Sequence, residues 1–132
     1  MLDKNSSKIE NTDYFDLDRI NFEKIQENFN EFYKFLKISY KMQNRLVNMI
    51  LEGRISKEKR KKISIIKQDM EFIWDSVLQI QELIDKYVQT GDFFYQSAIK
   101  KSFKIVREAV LEYAENDMLK RDFLTYMYLL WK

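Results

Sequence analysis

The 132-residue chain has no cysteine, histidine or proline, and only two glycines. Without cysteine there is no disulfide framework, no zinc–thiolate site and no thiol nucleophile. Without histidine the commonest general base and the commonest metal ligand are both missing, so Ser–His catalysis and Glu-x-x-His di-iron chemistry are excluded. With no proline and so little glycine, hairpin-rich β architectures lose their turn residues. No Gly-rich phosphate loop and no nucleophile elbow exists. These absences argue against an enzyme, and neither a cofactor nor a metal is expected.

Long apolar runs are missing too, so no segment has the length to span a bilayer. The N-terminal arm, residues 1–20, is polar and acidic. It carries Asp3, Glu10, Asp13, Asp16 and Asp18 against Lys4, Lys8 and Arg19, with no apolar core of signal-peptide length. The expected location is the cytoplasm. The arm has few apolar residues, and Tyr14, Phe15, Leu17 and Ile20 are placed to tack its last part onto the rest. Residues 21–132 form a single domain, long enough to bury about two thirds of the surface its unfolded chain exposes.

What the chain does have is helical periodicity. Ile63, Ile66, Met70, Ile73, Val77, Ile80, Ile84 and Tyr87 alternate steps of three and four, an a/d heptad over more than three repeats. Ser56 ahead of it is an N-cap, and Gly91 behind it is a C-terminal stop. The preceding segment repeats the spacing at Phe22, Ile25, Phe29, Phe32 and Leu36, with Asn21 as cap. Its register meets Ser39 and Gln43 before Leu46 and Ile50 resume it, and Tyr33, Tyr40 and Val47 offer an adjacent stripe. Gly53 ends this helix, and so short a link to Ser56 makes the two helices an antiparallel hairpin. Asp92 caps a third helix with core positions Ile99, Phe103, Val106, Val110 and Tyr113. Near Asn116 and Asp117 the pattern blurs. Either the third helix continues to the end or it breaks, and Asp117 as a fresh cap before Met118 and Leu119 favours a short fourth helix running to Trp131. The expected fold is all-α: an antiparallel up-down-up bundle of three long helices with a short fourth at the C-terminus.

Charge layout supplies the first candidate site. Arg54, Lys57, Lys59, Arg60, Lys61 and Lys62, interrupted only by Glu58, give a local net charge of +5 in a chain of net +2. Cations at a helix start face the positive end of its dipole, a local cost without a local gain. Clustered positive potential of this kind suits phosphate. An antiparallel third helix returns toward Gly53, which is expected to bring Lys120 and Arg121 to the same pole, with Arg45 about two turns away. The proposed nucleic-acid contacts are therefore Arg54, Lys57, Lys59, Arg60, Lys61, Lys62, Lys120 and Arg121. No base-reading motif accompanies them, so binding is expected to be weakly sequence-specific.

Carboxylate pairs offer less. Glu82-x-x-Asp85 and Glu112-x-x-Glu115 resemble the acidic pairs of all-α nucleotide pyrophosphohydrolases, but in reversed order. The register also turns them outward, whereas a bundle metal site needs them inward. The C-terminal stretch is more informative. Phe123, Leu124, Tyr126, Met127, Tyr128, Leu129, Leu130 and Trp131 cover nearly the whole circumference of a helix, so it is buried on several sides. It either plugs the bundle or presents Tyr126, Tyr128, Leu129 and Trp131 to a protein partner or a second copy.

In size, bundle shape and basic surface the chain is similar to small all-helical subunits of RNA-guided antiviral complexes. It is nearly as similar to phage-encoded inhibitors and helical immunity proteins. These are likenesses of shape, and they transfer no residue. They imply a nucleic-acid or nucleoprotein partner, or else a protein-binding adaptor or inhibitor; a membrane or a small-molecule substrate is not expected.

Overall fold

The computed structural model describes residues 16–113 and 117–132, and the side chains at 112–119 are not among those described. Expectations resting on Tyr14, Phe15, Tyr113, Glu112 and Glu115 thus fall outside it. The fold is an all-α bundle: α1 (Ile25–Glu52), α2 (Lys57–Thr90), α3 (Phe94–Tyr113) and α4 (Asp117–Tyr126). Short 3-10 turns at Leu17–Arg19, Phe22–Lys24 and Met127–Trp131 complete it. No strand occurs among the described residues.

Local chemistry sets the helix ends. Ser56 Oγ accepts from the Lys59 backbone N–H at 3.1 Å, so α2 starts where the cap was expected. At the far end Gly91 adopts φ 69°, a left-handed stop, and its N–H reaches the Tyr87 carbonyl at 2.7 Å. Asp92 Oδ1 then accepts from the Phe94 N–H at 2.9 Å and opens α3. Asn21 behaves differently from expectation. Its side chain caps the 3-10 turn Phe22–Lys24, which feeds into α1 four residues later. Gly53 ends α1 with extended backbone, φ −82° and ψ 179°.

Helices α1 and α2 form the expected antiparallel hairpin. Phe22 meets Tyr87 edge-on at one end (5.7 Å), and Tyr40 stacks on Trp74 (4.9 Å) in the middle. At the other end Arg60 donates to the Leu51 carbonyl (2.9 Å). Helix α3 packs antiparallel on α2, with Gln96 Nε2 donating to the Tyr87 hydroxyl at 2.8 Å. The core runs between them: Phe29, Phe32, Leu36, Met70, Val77, Ile84, Ile99, Phe103 and Val110 are essentially fully buried. In α1 it is Ser39, Gln43 and Val47 that continue the buried line, while Leu46 and Ile50 face out. The expected resumption at Leu46 and Ile50 is thus corrected. Past the two polar residues the buried line passes to Val47, on the adjacent stripe with Tyr33 and Tyr40.

The third helix is shorter than its partner, 20 residues against 34. It stops while α2 still has roughly 20 Å to run toward Lys57. Helix α4 then turns back along α1. Phe123 packs on Phe32 (5.6 Å), Tyr126 on Phe35 (5.3 Å), and the Leu130 carbonyl accepts from the Asn21 N–H (3.0 Å). The Gly53 end of the hairpin therefore extends beyond the α3 and α4 layer as a two-helix tip.

Candidate functional site

The hairpin tip carries the basic run. Arg54, Lys57, Lys59, Arg60, Lys61 and Lys62 are all exposed. Among the described residues, none of the six makes an ion pair. One has a structural task. Arg60 bonds the Leu51 carbonyl at the C-terminal end of α1, where a cation satisfies an orphan acceptor and meets the favourable end of the helix dipole. Among the described residues the lysines have no comparable partner. They sit in the first two turns of α2, where they repel one another and the helix end. The cluster can offer charge to phosphate oxygens, and it has no aromatic residue of its own for stacking a base.

Lys120 and Arg121 do not join this pole. Asp122, the next residue, is bonded to Ser39, thirteen residues before the end of α1. That places Lys120 and Arg121 roughly 15–20 Å from the tip along the hairpin axis. Lys120 Nζ instead approaches the Leu111 carbonyl, 3.4 Å away, where α3 ends and α4 begins. The expectation of one convergent pole assumed that α3 runs the full length of α2, and it does not. Arg45 is exposed on α1, on the tip side of Ser39.

The aromatic C-terminus closes the bundle. Phe123, Leu124, Met127 and Leu130 are buried, Leu129 and Tyr126 half-buried. Trp131 Nε1 donates to the Asp16 carbonyl at 2.9 Å, and the Arg19 guanidinium lies 4.4 Å over its ring. Tyr128 meets Trp131 edge-on and is 41% exposed. All four residues expected to face a partner thus make contacts within the chain, and Tyr128 is the most exposed of them.

Glu82 and Asp85 are exposed, as their register implied. Among the described residues, no three carboxylates converge on a possible metal position. No described helix is long and apolar enough to cross a membrane.

Sequence reasoning missed two features. Lys100, Lys101, Lys104 and Arg107 on α3 line an open cleft of about 430 Å³ with Asp16 and Asp18. Lys100 is paired to Asp18 at 3.3 Å. The i, i+4, i+7 spacing of Lys100, Lys104 and Arg107 was its signal. The second is an exposed apolar stripe on α1, Ile38, Met42, Leu46 and Met49, readable as a second helical period offset from the core. Comparison with protein-family models, with curated proteins and with solved structures finds no match for this chain.

Proposed function

We propose that this protein is a non-enzymatic helical binding module whose hairpin tip contacts the phosphate backbone of a nucleic acid, free or within a nucleoprotein. The observation that carries the reading is the tip itself. Lys57, Lys59, Lys61 and Lys62 stand exposed on a two-helix projection, with no carboxylate among the described residues paired to them. Such an arrangement neutralises phosphates and steers association, but reads no sequence. Lys120 and Arg121, on a different part of the surface, are not required for it. The competing reading, a partner surface at Tyr126, Tyr128, Leu129 and Trp131, has less support because that segment packs against the bundle.

The test is a titration with single-stranded RNA and duplex DNA at about 50 and about 200 mM salt. Wild type is compared with a variant carrying Lys57, Lys59, Lys61 and Lys62 all changed to Gln, which spares Arg60 and its bond to Leu51. The expected result is salt-sensitive binding that the variant loses. The log–log salt slope should shrink by roughly 0.7–0.9 per contact removed. Binding insensitive to salt, or equal in both proteins, overturns the reading.

A further inference from the structure

On the outer side of α1, away from α2, Ile38, Met42, Leu46 and Met49 are 56%, 54%, 47% and 61% exposed, and Phe35 is 39% exposed. At 100° per residue the five fall within one stripe on a face separate from the core line through Leu36, Gln43 and Val47. They span about 20 Å of helix. Scattered exposed apolar residues need no explanation, but a continuous row of five large ones on one helix does. One end of the row is a groove: Tyr126 stacks on Phe35, and a cleft of about 210 Å³ opens between α1 and α4 beside Ile38 and Met42. Its floor is polar, formed by Gln43 and the Ser39–Asp122 hydrogen bond.

The charges flanking this stripe say what covers it. Lys34, Lys41 and Arg45 are all exposed along its open edge, and Arg121 is exposed on α4 across the groove. Of the carboxylates alongside, Glu31 is paired with Lys132 (3.5 Å), and Asp122, held by Ser39 (2.6 Å), keeps its charge inside the groove, so the open edge itself is cationic. Glu27 and Glu52 lie beyond the two ends of the row. A second copy of the chain is a poor occupant. An antiparallel two-fold pairing sets the same flank of both copies face to face, so each row of cations meets itself. A bilayer is a poor one too, since a flat surface leaves the groove and its polar floor unfilled. We infer that this stripe is the docking site for an amphipathic helix of a protein partner, apolar on one side and flanked by Glu or Asp. About four turns of helix match the length of the row. Methionines among the anchors suit it to accepting such a helix without a fixed shape. Nothing in this inference rests on the tip.

The probe is a designed three-heptad peptide with Leu and Ile at its a and d positions and Glu at e and g, whose charges keep it from pairing with itself. A control peptide has Lys at e and g. Anisotropy titrations against wild type are expected to show the acidic peptide binding at least about tenfold more tightly than the basic one. Met42→Glu with Leu46→Glu should weaken that binding at least about tenfold. Both positions are exposed, so an unchanged melting curve verifies the fold. Lys41→Glu with Arg45→Glu should reverse the peptide preference, an outcome no loss of folding imitates. Equal affinity for both peptides overturns the inference, and so does unaltered binding by the Met42/Leu46 variant. A wild-type dimer that this variant dissolves in sedimentation would make the occupant a second copy. Binding to vesicles of anionic lipid that the same variant loses would make it a membrane.

Discussion

The Ser39 hydroxyl donates a 2.6 Å hydrogen bond to the Asp122 carboxylate, joining α1 to α4 across 83 residues of sequence. This bond explains one of the two polar residues on a buried face. Ser39 and Gln43 sit on the core line of α1 where α4 docks, and Ser39 supplies the partner that a half-buried carboxylate needs. Ser39→Ala removes the donor and leaves the charge. A loss of about 1–3 kcal/mol is expected in urea unfolding. Asp122→Asn keeps a bondable side chain without the charge and should cost less. In a double-mutant cycle the two changes should couple, and purely additive effects would show that the bond does not hold α4 in place.

How far the sequence reaches depends on which coordinate is asked for. Periodicity reports faces, and the faces were legible. Met70, Ile73, Val77, Ile80 and Ile84 are buried as their heptad implies, as are Ile99, Phe103, Val106 and Val110. Ser56, Gly91 and Asp92 mark the helix ends because capping is a matter of two or three neighbouring residues. Axial offset was not legible. Ile63 and Ile66 obey the same heptad yet are only half-buried, because α3 stops before it reaches them. The same offset parts Lys120 and Arg121 from the tip. It depends on where α4 meets α1, a contact between residues 83 positions apart. The apolar stripe on α1 was hidden for a related reason. A helix with two apolar rows gives no local sign of which one faces the core.

Trp131 ties the C-terminus to the N-terminal side of the fold through its N–H bond to the Asp16 carbonyl. Trp131→Phe keeps the ring under Arg19 and deletes the donor, so a loss of about 0.5–1.5 kcal/mol is expected. Amide exchange should accelerate most around Leu17–Arg19. Truncation after Arg121 is a different experiment. It removes Phe123, Leu124, Met127 and Leu130, all buried, and should abolish cooperative unfolding. A truncated chain that keeps a sharp transition would make the C-terminal segment dispensable to the core.

Tyr40 gives the alkaline behaviour a specific origin. Burial against the hairpin pushes its phenol above 10.0, and the nearby Glu71 and Asp75 carboxylates push the same way. The unfolded chain releases that proton first. Tyr40 therefore leaves stability intact below pH 10.0 and erodes it as the pH climbs through the higher value of the folded state. Tyr40→Phe should flatten the loss of stability above that point relative to wild type, while preserving the ring stacked on Trp74. An equally steep alkaline decline in the variant would assign the effect to other groups.

The tip separates binding from folding, since the two make opposite demands on Lys57 and Lys59. Both lie in the first turn of α2, against the positive end of its dipole. Changing them to Gln retains helix propensity and removes an unfavourable charge, so stability should rise by about 0.3–1 kcal/mol for each at low salt. The gain should fade as salt screens it. Arg60→Gln should do the reverse, because it leaves the Leu51 carbonyl without its charged donor at the end of α1. Unfolding curves at two salt concentrations check both signs. If the lysine variants are more stable and also lose nucleic-acid binding, the tip holds cations at a cost to the fold and uses them on a partner. If they are more stable and bind unchanged, these lysines are not the phosphate contacts.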